Sequence, residues 1–250
     1  MTTSRFQPFM PKAKIGALLP LPVVDTTPYE FYRIVGDRAM ICMVPGKVYE
    51  FTRADMERVL GTLDEDIDKL MGRSVDLIAQ YGVPLPILIG IEAHDRLIER
   101  IEKRSGKPTT SNIHGVVAGA KHLGIRNIAV CNKWSDAMNR TLAEFFAREG
   151  VAVAGVASDV QAVADFQRTA IADGMELAYQ LGAQAFRDFP EADGLYLGGG
   201  TWLSEPISVA LEQDFGKPVI TNNQAAVWDM LRIAGCWSPI AGHGVLLASA

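Results

Sequence analysis

The chain has 250 residues, 48% of them hydrophobic, and its 29 acidic and 24 basic side chains leave a formal net charge of −5. That length holds one large or two small cores of an ordinary globule, and the interleaving of both charge signs excludes the clustered basic face of a nucleic-acid binder. No apolar run approaches bilayer-spanning length and residues 1–14 lack the apolar core of a signal peptide, so no membrane partner and a cytoplasmic location are expected.

In chain order, 15–19 is a short apolar strand and 39–44 a second. Segment 53–71 shows helical periodicity, with Met56, Val59, Leu60, Leu63, Ile67 and Leu70 on one side. A strand at 75–79, a helix at 91–104, a brief strand at 108–110 and a helix at 112–123 closed by Gly124 follow. The basic residues between 96 and 104 alternate with Glu99 and Glu102, the pattern of a solvated helix face. Strands near 127–131, 151–156, 193–197 and 218–221 then alternate with helices near 135–149, 161–186, 203–214 and 223–234. Continuous apolar strands separated by helices define an α/β protein with parallel sheets covered on both faces.

Three segments recur in the same order. SGKPTTSNIHGVVAGAKHLG (105–124) returns as FGKPVITNNQAAVWDMLRIAG (215–235), KIGALLP (14–20) as RNIAVCN (126–132), and VDLIAQYGVP (75–84) as ADGLYLGGGT (192–201). Repeats of this size indicate duplicated half-domains facing each other across one site. The expected division is 1–111, completed by 221–250, against 112–220.

Parallel sheets bind ligands outside the carboxyl ends of their strands, which places chemistry in the loops after Leu19, Ala79, Val130 and Leu197. The loops Gly82-Val83-Pro84-Leu85-Pro86 and Gly198-Gly199-Gly200-Thr201 are pseudo-equivalent, and both can aim backbone N–H groups at a carboxylate or an enolate oxyanion. Pro84 and Pro86 have no such donor. The triple glycine also reads as a tight turn, and it lacks both the Lys-Ser/Thr of a P-loop and the spacing of a dinucleotide fingerprint, so no cofactor is expected. Cys42, Cys131 and Cys236 are odd in number and widely spaced, which fits neither a disulfide framework nor a metal site. His94, Asp95 and His114 invite a metal reading, but their helix positions point away from the strand ends. Surface or capping roles are expected for them, peripheral places for His122 and His243, and no metal. Asn132, Asn222 and Asn223 sit on turns from which they either cap a helix or reach the cleft; capping is the expectation for Asn222.

The series GALLPLP, VDLIAQYG followed by Gly90, SGKPTTS, LGIRNIAV, ADGLYLGGG and GKPVITNNQAAVWDMLRIAG resembles the aspartate/glutamate racemase superfamily over nearly the whole chain, in particular its maleate isomerase and arylmalonate decarboxylase branch. The resemblance implies two pseudo-symmetric half-domains, each a four-stranded parallel sheet flanked by helices, with the active site in the cleft between them. It places the two facing cysteines of the racemases at Gly82 and Gly199. Glycine at the first position is what the arylmalonate decarboxylases show, whereas they keep a cysteine proton donor at the second. Trp134 matches a cleft tyrosine of the decarboxylases that hydrogen-bonds the substrate carboxylate, and Pro20 matches a family position at the end of the first strand.

Decarboxylation needs an enediolate-stabilising site and an acid. Amides around Gly199, Gly200 and Thr201, with Val83 opposite, are expected to supply the first. For the second, Cys131, Lys133 and Tyr81 are rival candidates. A cleft lined by Leu21, Val23, Val24, Met43, Val44, Val83, Leu85 and Trp202, with no arginine in its loops, favours an aryl or alkyl carboxylate over an amino acid. The expected activity is a cofactor-independent decarboxylase or isomerase of a small carboxylate. The alternatives are a hydrolase or lyase that activates water in the same cleft, and a non-catalytic carboxylate-binding protein. Apolar edges leave a homo-oligomer open.

Overall fold

The computed structural model describes residues 5–250. The first sheet contains β1 (Ala13–Leu18), β2 (Ala39–Val44), β3 (Leu77–Gln80) and β4 (Thr109–Ser111) in the order β2-β1-β3-β4. The second contains β5 (Asn127–Asn132), β6 (Ala152–Ser158), β7 (Gly194–Leu197) and β8 (Val219–Thr221) in the order β6-β5-β7-β8. Every pairing is parallel. One strand order used twice is the architecture that the internal repeats announce, and each repeat pair occupies the same place in its own sheet.

Helices α1 (Thr26–Val35), α2 (Arg53–Met71), α3 (Pro84–Ile89), α4 (Ile91–Ser105) and α5 (Asn112–His122) accompany the first sheet in chain order. Helices α6 (Asp136–Arg148), α7 (Val163–Phe166), α8 (Ile171–Asp188), α9 (Glu205–Phe215), α10 (Asn222–Ile233) and α11 (Val245–Ala248) follow in the second part of the chain. The start of α2 illustrates the local logic. Thr52 Oγ1 accepts from the Asp55 amide at 3.2 Å and Asp55 accepts from the Thr52 amide at 3.1 Å, a reciprocal cap that contributes about 1 kcal/mol. The charges of α4 pair with α2, as in Arg100 to Asp64 at 2.8 Å and Arg104 to Asp68. At this exposure they favour solubility more than stability. Among the described residues no helix is long and apolar enough to cross a membrane.

Several elements depart from the expected pattern: helix α3 begins at Pro84, inside the segment expected as a loop, and α11 is an addition. The helix expected over 161–186 is two helices, because Ala170 is extended (ψ 147°) and starts α8 afresh. The break turns Phe166 into the cleft. Helix α1 is the helix-like stretch that follows the apolar run 14–20, and the sequence pattern leaves its limits undefined. It has only Phe31, Ile34 and Val35 as its apolar stripe, a proline in its first turn, and an N-cap at Asp25 that accepts from the Thr26 amide at 2.7 Å.

The two sheets are locked together by α5 and α10, which pack on each other, while α10 also reaches β3 and β4 of the first sheet and β8 of the second. Gly115 permits the crossing, since a Cβ there would come within 2.8 Å of the Ala225 carbonyl oxygen. One continuous core therefore runs from Ile15 and Leu77 through Ile113 and Trp228 to Ile128 and Tyr196.

Candidate active site

A cavity opens where the carboxyl ends of the two sheets face each other. Its wall takes Pro20, Tyr81, Gly82, Pro84 and Asn112 from one side and Lys133, Trp134, Gly199, Gly200, Thr201, Asn222 and Asn223 from the other, closed by Leu19, Leu21, Val24, Thr27, Phe51 and Phe166. Of the residues expected there, Cys131, Asn132, Val83 and Gly198 do not line it. Of the apolar lining expected, Leu21 and Val24 are on the wall. Val83, Leu85 and Trp202 are buried and do not line it, Val23 is exposed, and Met43 and Val44 lie outside it.

The triple-glycine loop is shaped from the first half of the molecule. Thr26 Oγ1 donates to the Gly200 carbonyl at 2.8 Å and Thr27 Oγ1 donates to it at 3.4 Å. Because the peptide is planar and trans, fixing that carbonyl sends the Thr201 N–H the opposite way. Among the described residues, the N–H groups of Gly82, Val83, Gly199, Gly200 and Thr201 donate to no protein acceptor, whereas Gly198 donates to the Cys131 carbonyl at 2.8 Å and is part of the ladder end. Four unclaimed amides on the wall, from Gly82 and 199–201, form a set of donors for an anion.

Two helix N-termini reinforce them. Ser111 caps α5 through the His114 amide and Thr221 caps α10 through the Gln224 amide, so the first helical residues, Asn112 and Asn222, are pseudo-equivalent and both face the cavity. The positive ends of two helices of 11 and 12 residues thus meet the same space. Asn222 is therefore a wall residue and not the cap. The Tyr196 hydroxyl donates to its Oδ1, which leaves its Nδ2 turned toward the Gly200 side. Asn223 Nδ2 donates to Glu30, a carboxyl buried beneath the wall that also accepts from the Glu205 amide at 2.7 Å; burial pushes Glu30 above the usual carboxylate range. Thr26, Thr27, Asn112 and the Glu30 support were missed in the sequence. Only the repeat register, which matches Asn112 to Asn222, carried a signal for any of them.

The three rival acids separate cleanly. Cys131 is fully buried in the core of the second half among Ala129, Ala157 and Leu197, where burial drives its thiol well above the ordinary value. Cys131 does sit near the carboxyl end of β5, but its side chain points into the sheet-helix interface. Tyr81 touches the cavity, yet its hydroxyl donates to Met230 Sδ at 3.9 Å in the core, and burial raises the phenol. Lys133 alone presents its ionisable atom to the site. Its side chain is buried, and Nζ donates to Thr201 Oγ1 at 3.0 Å and lies 4.2 Å from the Trp202 ring centre and 4.6 Å from that of Phe166. Burial lowers this ammonium to about 7, against a weaker pull upward from Asp159.

Asn132 holds that lysine in place from behind. Its Oδ1 accepts from the Trp134 amide at 2.9 Å and the Ser158 hydroxyl at 3.2 Å, and its Nδ2 donates to Asn139 Oδ1 at 2.7 Å. Lys133 is thus the middle residue of a pinned turn. Trp134 packs over Gly198, with its ring on the wall.

The two glycines at the expected cysteine positions are demanded by the backbone. Gly82 has φ +86°, and a Cβ there would lie 2.5 Å from Pro20 Cγ. The proline ring fills the space of a first thiol. Gly199 has φ +150°, with its missing Cβ direction 3.3 Å from Trp202 and 3.6 Å from Lys133 Cε. Gly82→Cys should therefore cost about 1–3 kcal/mol of stability in denaturant titration and yield no racemase; an unchanged midpoint would show that Pro20 yields easily.

The histidines are arranged differently from expectation. His94 is fully buried, its ring 4.8 Å from that of His114, and burial holds it neutral with a value of about 3. His94, Asp95 and His114 do come together, with ligand atoms up to 4.8 Å apart. Asp95 also pairs with Arg148 at 2.7 Å. None of the three lines the cavity. His243 is likewise engaged, its Nδ1 2.9 Å from Glu205.

A two-sheet α/β chain with a cavity between its pseudo-symmetric halves defines the class of protein. The chain belongs to the arylmalonate decarboxylase family, whose profile matches residues 17–247. The arylmalonate decarboxylase of Bordetella bronchiseptica is 25% identical over 225 residues, 88% of this chain and 90% of that protein. A crystal structure of arylmalonate decarboxylase superposes with a TM-score of 0.79 at 23% identity, covering 95% of this chain and all of that one. The maleate isomerase Iso of Pseudomonas putida S16, a cysteine-to-alanine variant with maleate, superposes with a TM-score of 0.85 at 17% identity, covering 95% and 98%.

Proposed function

We propose that this protein decarboxylates a small malonate-type carboxylate without a cofactor, and that Lys133 delivers the proton that the family's cysteine delivers elsewhere. The observation that carries this reading is the Lys133 ammonium: buried, facing the cavity, and beside the Gly199 position. Family membership supports decarboxylase or isomerase chemistry on small carboxylates.

In the proposed cycle one carboxylate of the substrate rests on the amides of 199–201 and the Asn222 carboxamide, and the other occupies the apolar part of the cavity. An apolar, desolvated setting destabilises the carboxylate that leaves. Its C–C bond pair moves into the retained carboxylate as an enediolate, which the amide donors and two helix ends stabilise. Lys133 then protonates carbon and regains its proton from solvent. With a pKa near 7, the amine is matched to that exchange at neutral pH. Pro20 blocks the opposite face, so the proton enters from the Lys133 side and a single enantiomer results.

Decarboxylation is favoured over isomerisation because the family whose profile matches residues 17–247 is that of arylmalonate decarboxylase. The deciding experiment follows carbon dioxide release and deuterium uptake by NMR for malonates, maleate and related unsaturated carboxylates in deuterated water. Release with one deuterium at the α-carbon is expected from a malonate. Silence across the panel alongside measurable binding would overturn the reading in favour of a binding protein, and hydrolysis without exchange would favour an activated water.

Cys131→Ala should leave that turnover within about threefold and cost about 1–2 kcal/mol, as a small core truncation does. Thiol reagents should likewise leave the rate unchanged. A collapse of activity in this variant with its fold intact would return the thiol to the mechanism.

A further inference from the structure

We propose that Lys133 is also an amine nucleophile, and that the same cavity accepts 3-oxo carboxylates and decarboxylates them through a Schiff base on its Nζ. This rests on the reading of the cavity as a carboxylate site, but it asks a different property of the lysine.

Lys133 differs from the other lysines with recorded contacts. Lys69 pairs with Glu65 and Asp66, Lys121 with Glu149, and Lys14 and Lys217 donate to backbone carbonyls at the surface. Lys133 Nζ, among the described residues, has a single hydrogen bond, to a neutral hydroxyl, and no carboxylate within ion-pair distance. Aromatic rings flank it, and the cavity brings solutes to it. A lysine desolvated without a counter-charge releases its proton near neutrality and becomes nucleophilic. Access is open as well. Gly199 and Gly200 put no side chain between Nζ and the cavity, and the space over Gly200 is bordered by Asn222 Nδ2 at 3.8 Å and Thr27 Oγ1 at 4.0 Å. The Asn222 carboxamide N–H suits the carboxylate of a ligand whose ketone carbon lies against Nζ.

The neutral amine adds to the ketone carbon, and the carbinolamine loses water to give an iminium ion. The bond between the α-carbon and the carboxylate breaks, its electron pair moving into the C=N⁺ group, which leaves an enamine and carbon dioxide. The enamine carbon takes up a proton, and water returns the free amine and the ketone. The water released on imine formation is restored on hydrolysis, so the net change is loss of carbon dioxide and gain of one proton, with no oxidant or reductant. The acid and nucleophile roles need opposite states of one group. Proton delivery to a malonate requires the ammonium and declines as pH rises; imine formation requires the free amine and climbs over the same range.

The test incubates the intact protein with acetoacetate and sodium cyanoborohydride, which reduces iminium ions. Peptide mass spectrometry should find an isopropyl group on Lys133, the mark of an imine that had already lost carbon dioxide, and only background labelling of the exposed lysines. Lys133→Arg keeps the charge and should show no adduct there. Labelling confined to surface lysines, or no adduct in the wild-type protein, would overturn the proposal. Phenylmalonate turnover in deuterated water is measured on the same preparation. Turnover without trapping removes the Schiff base and leaves the proton-donor reading standing, while trapping without turnover upholds the Schiff base and removes the malonate reading.

Discussion

Lys133→Met lowers kcat/KM for the decarboxylated substrate by about 10²–10⁴-fold, the contribution of a positioned general acid. Methionine keeps the length and apolar stem of the side chain, so the cavity wall against Trp202 and Phe166 survives and carboxylate binding through the amides of 199–201 persists. Lys133→Arg is nearly as damaging, because a guanidinium stays charged throughout the accessible pH range and is too weak an acid to release its proton to carbon. Full activity in either variant would exclude Lys133 as the donor. The same substitution has a consequence for stability. The folded-state value of Lys133 is depressed to about 7, below that of an unfolded lysine. Between the two values the unfolded chain binds the proton and the folded chain does not. Stability from this group therefore rises with pH from about 7 toward the ordinary lysine value, and below about 7 the penalty for burying the ammonium is fully present. Lys133→Met should flatten that rise and be the more stable protein at pH 6, as chemical denaturation at a series of pH values would show.

Asn132→Ala costs about 2–4 kcal/mol and at least tenfold in turnover. Three hydrogen bonds, two of them buried, converge on its carboxamide, and removing it strands the Trp134 N–H and the Asn139 carboxamide oxygen in the core, where unmet groups are expensive. The loss of rate follows from geometry, since a lysine displaced by an ångström no longer meets the developing carbanion. Denaturant unfolding measures the first effect and kcat on the folded fraction the second. A stability loss with unchanged kcat would show that the turn at 132–134 holds without this network.

The architecture was legible because it is written in long, repeated signals. Apolar strands, helix stripes such as Met56 to Leu70 and the recurring Gly-Lys-Pro segment each involve many residues, and the helices from α4 to α10 fall within a few residues of their expected limits except where α7 and α8 divide. The site was legible only at its backbone. The triple glycine and Gly82 signalled close approach and positive φ, while the choice among Cys131, Lys133 and Tyr81 turned on which way each side chain leaves its strand end, a matter of tertiary packing. Cys131 and Lys133 are two residues apart at the end of β5, yet one is sealed in the core and the other stands in the cavity. Thr26 and Thr27 act on Gly200 across 174 and 173 positions of sequence. Contacts of that span between polar side chains and a carbonyl leave no periodic trace, and Glu30, a buried acid among apolar neighbours, runs against the composition of its own helix stripe.

The most direct test of the claim that an amine has taken over from a thiol is the pH dependence of kcat/KM for malonate decarboxylation. A single descending limb centred near 7, falling about tenfold per pH unit beyond it and lost in what activity Lys133→Met retains, is the predicted result. A rate that stays level or rises through pH 9 would contradict it, because Lys133 could not then be the group that gives its proton to carbon.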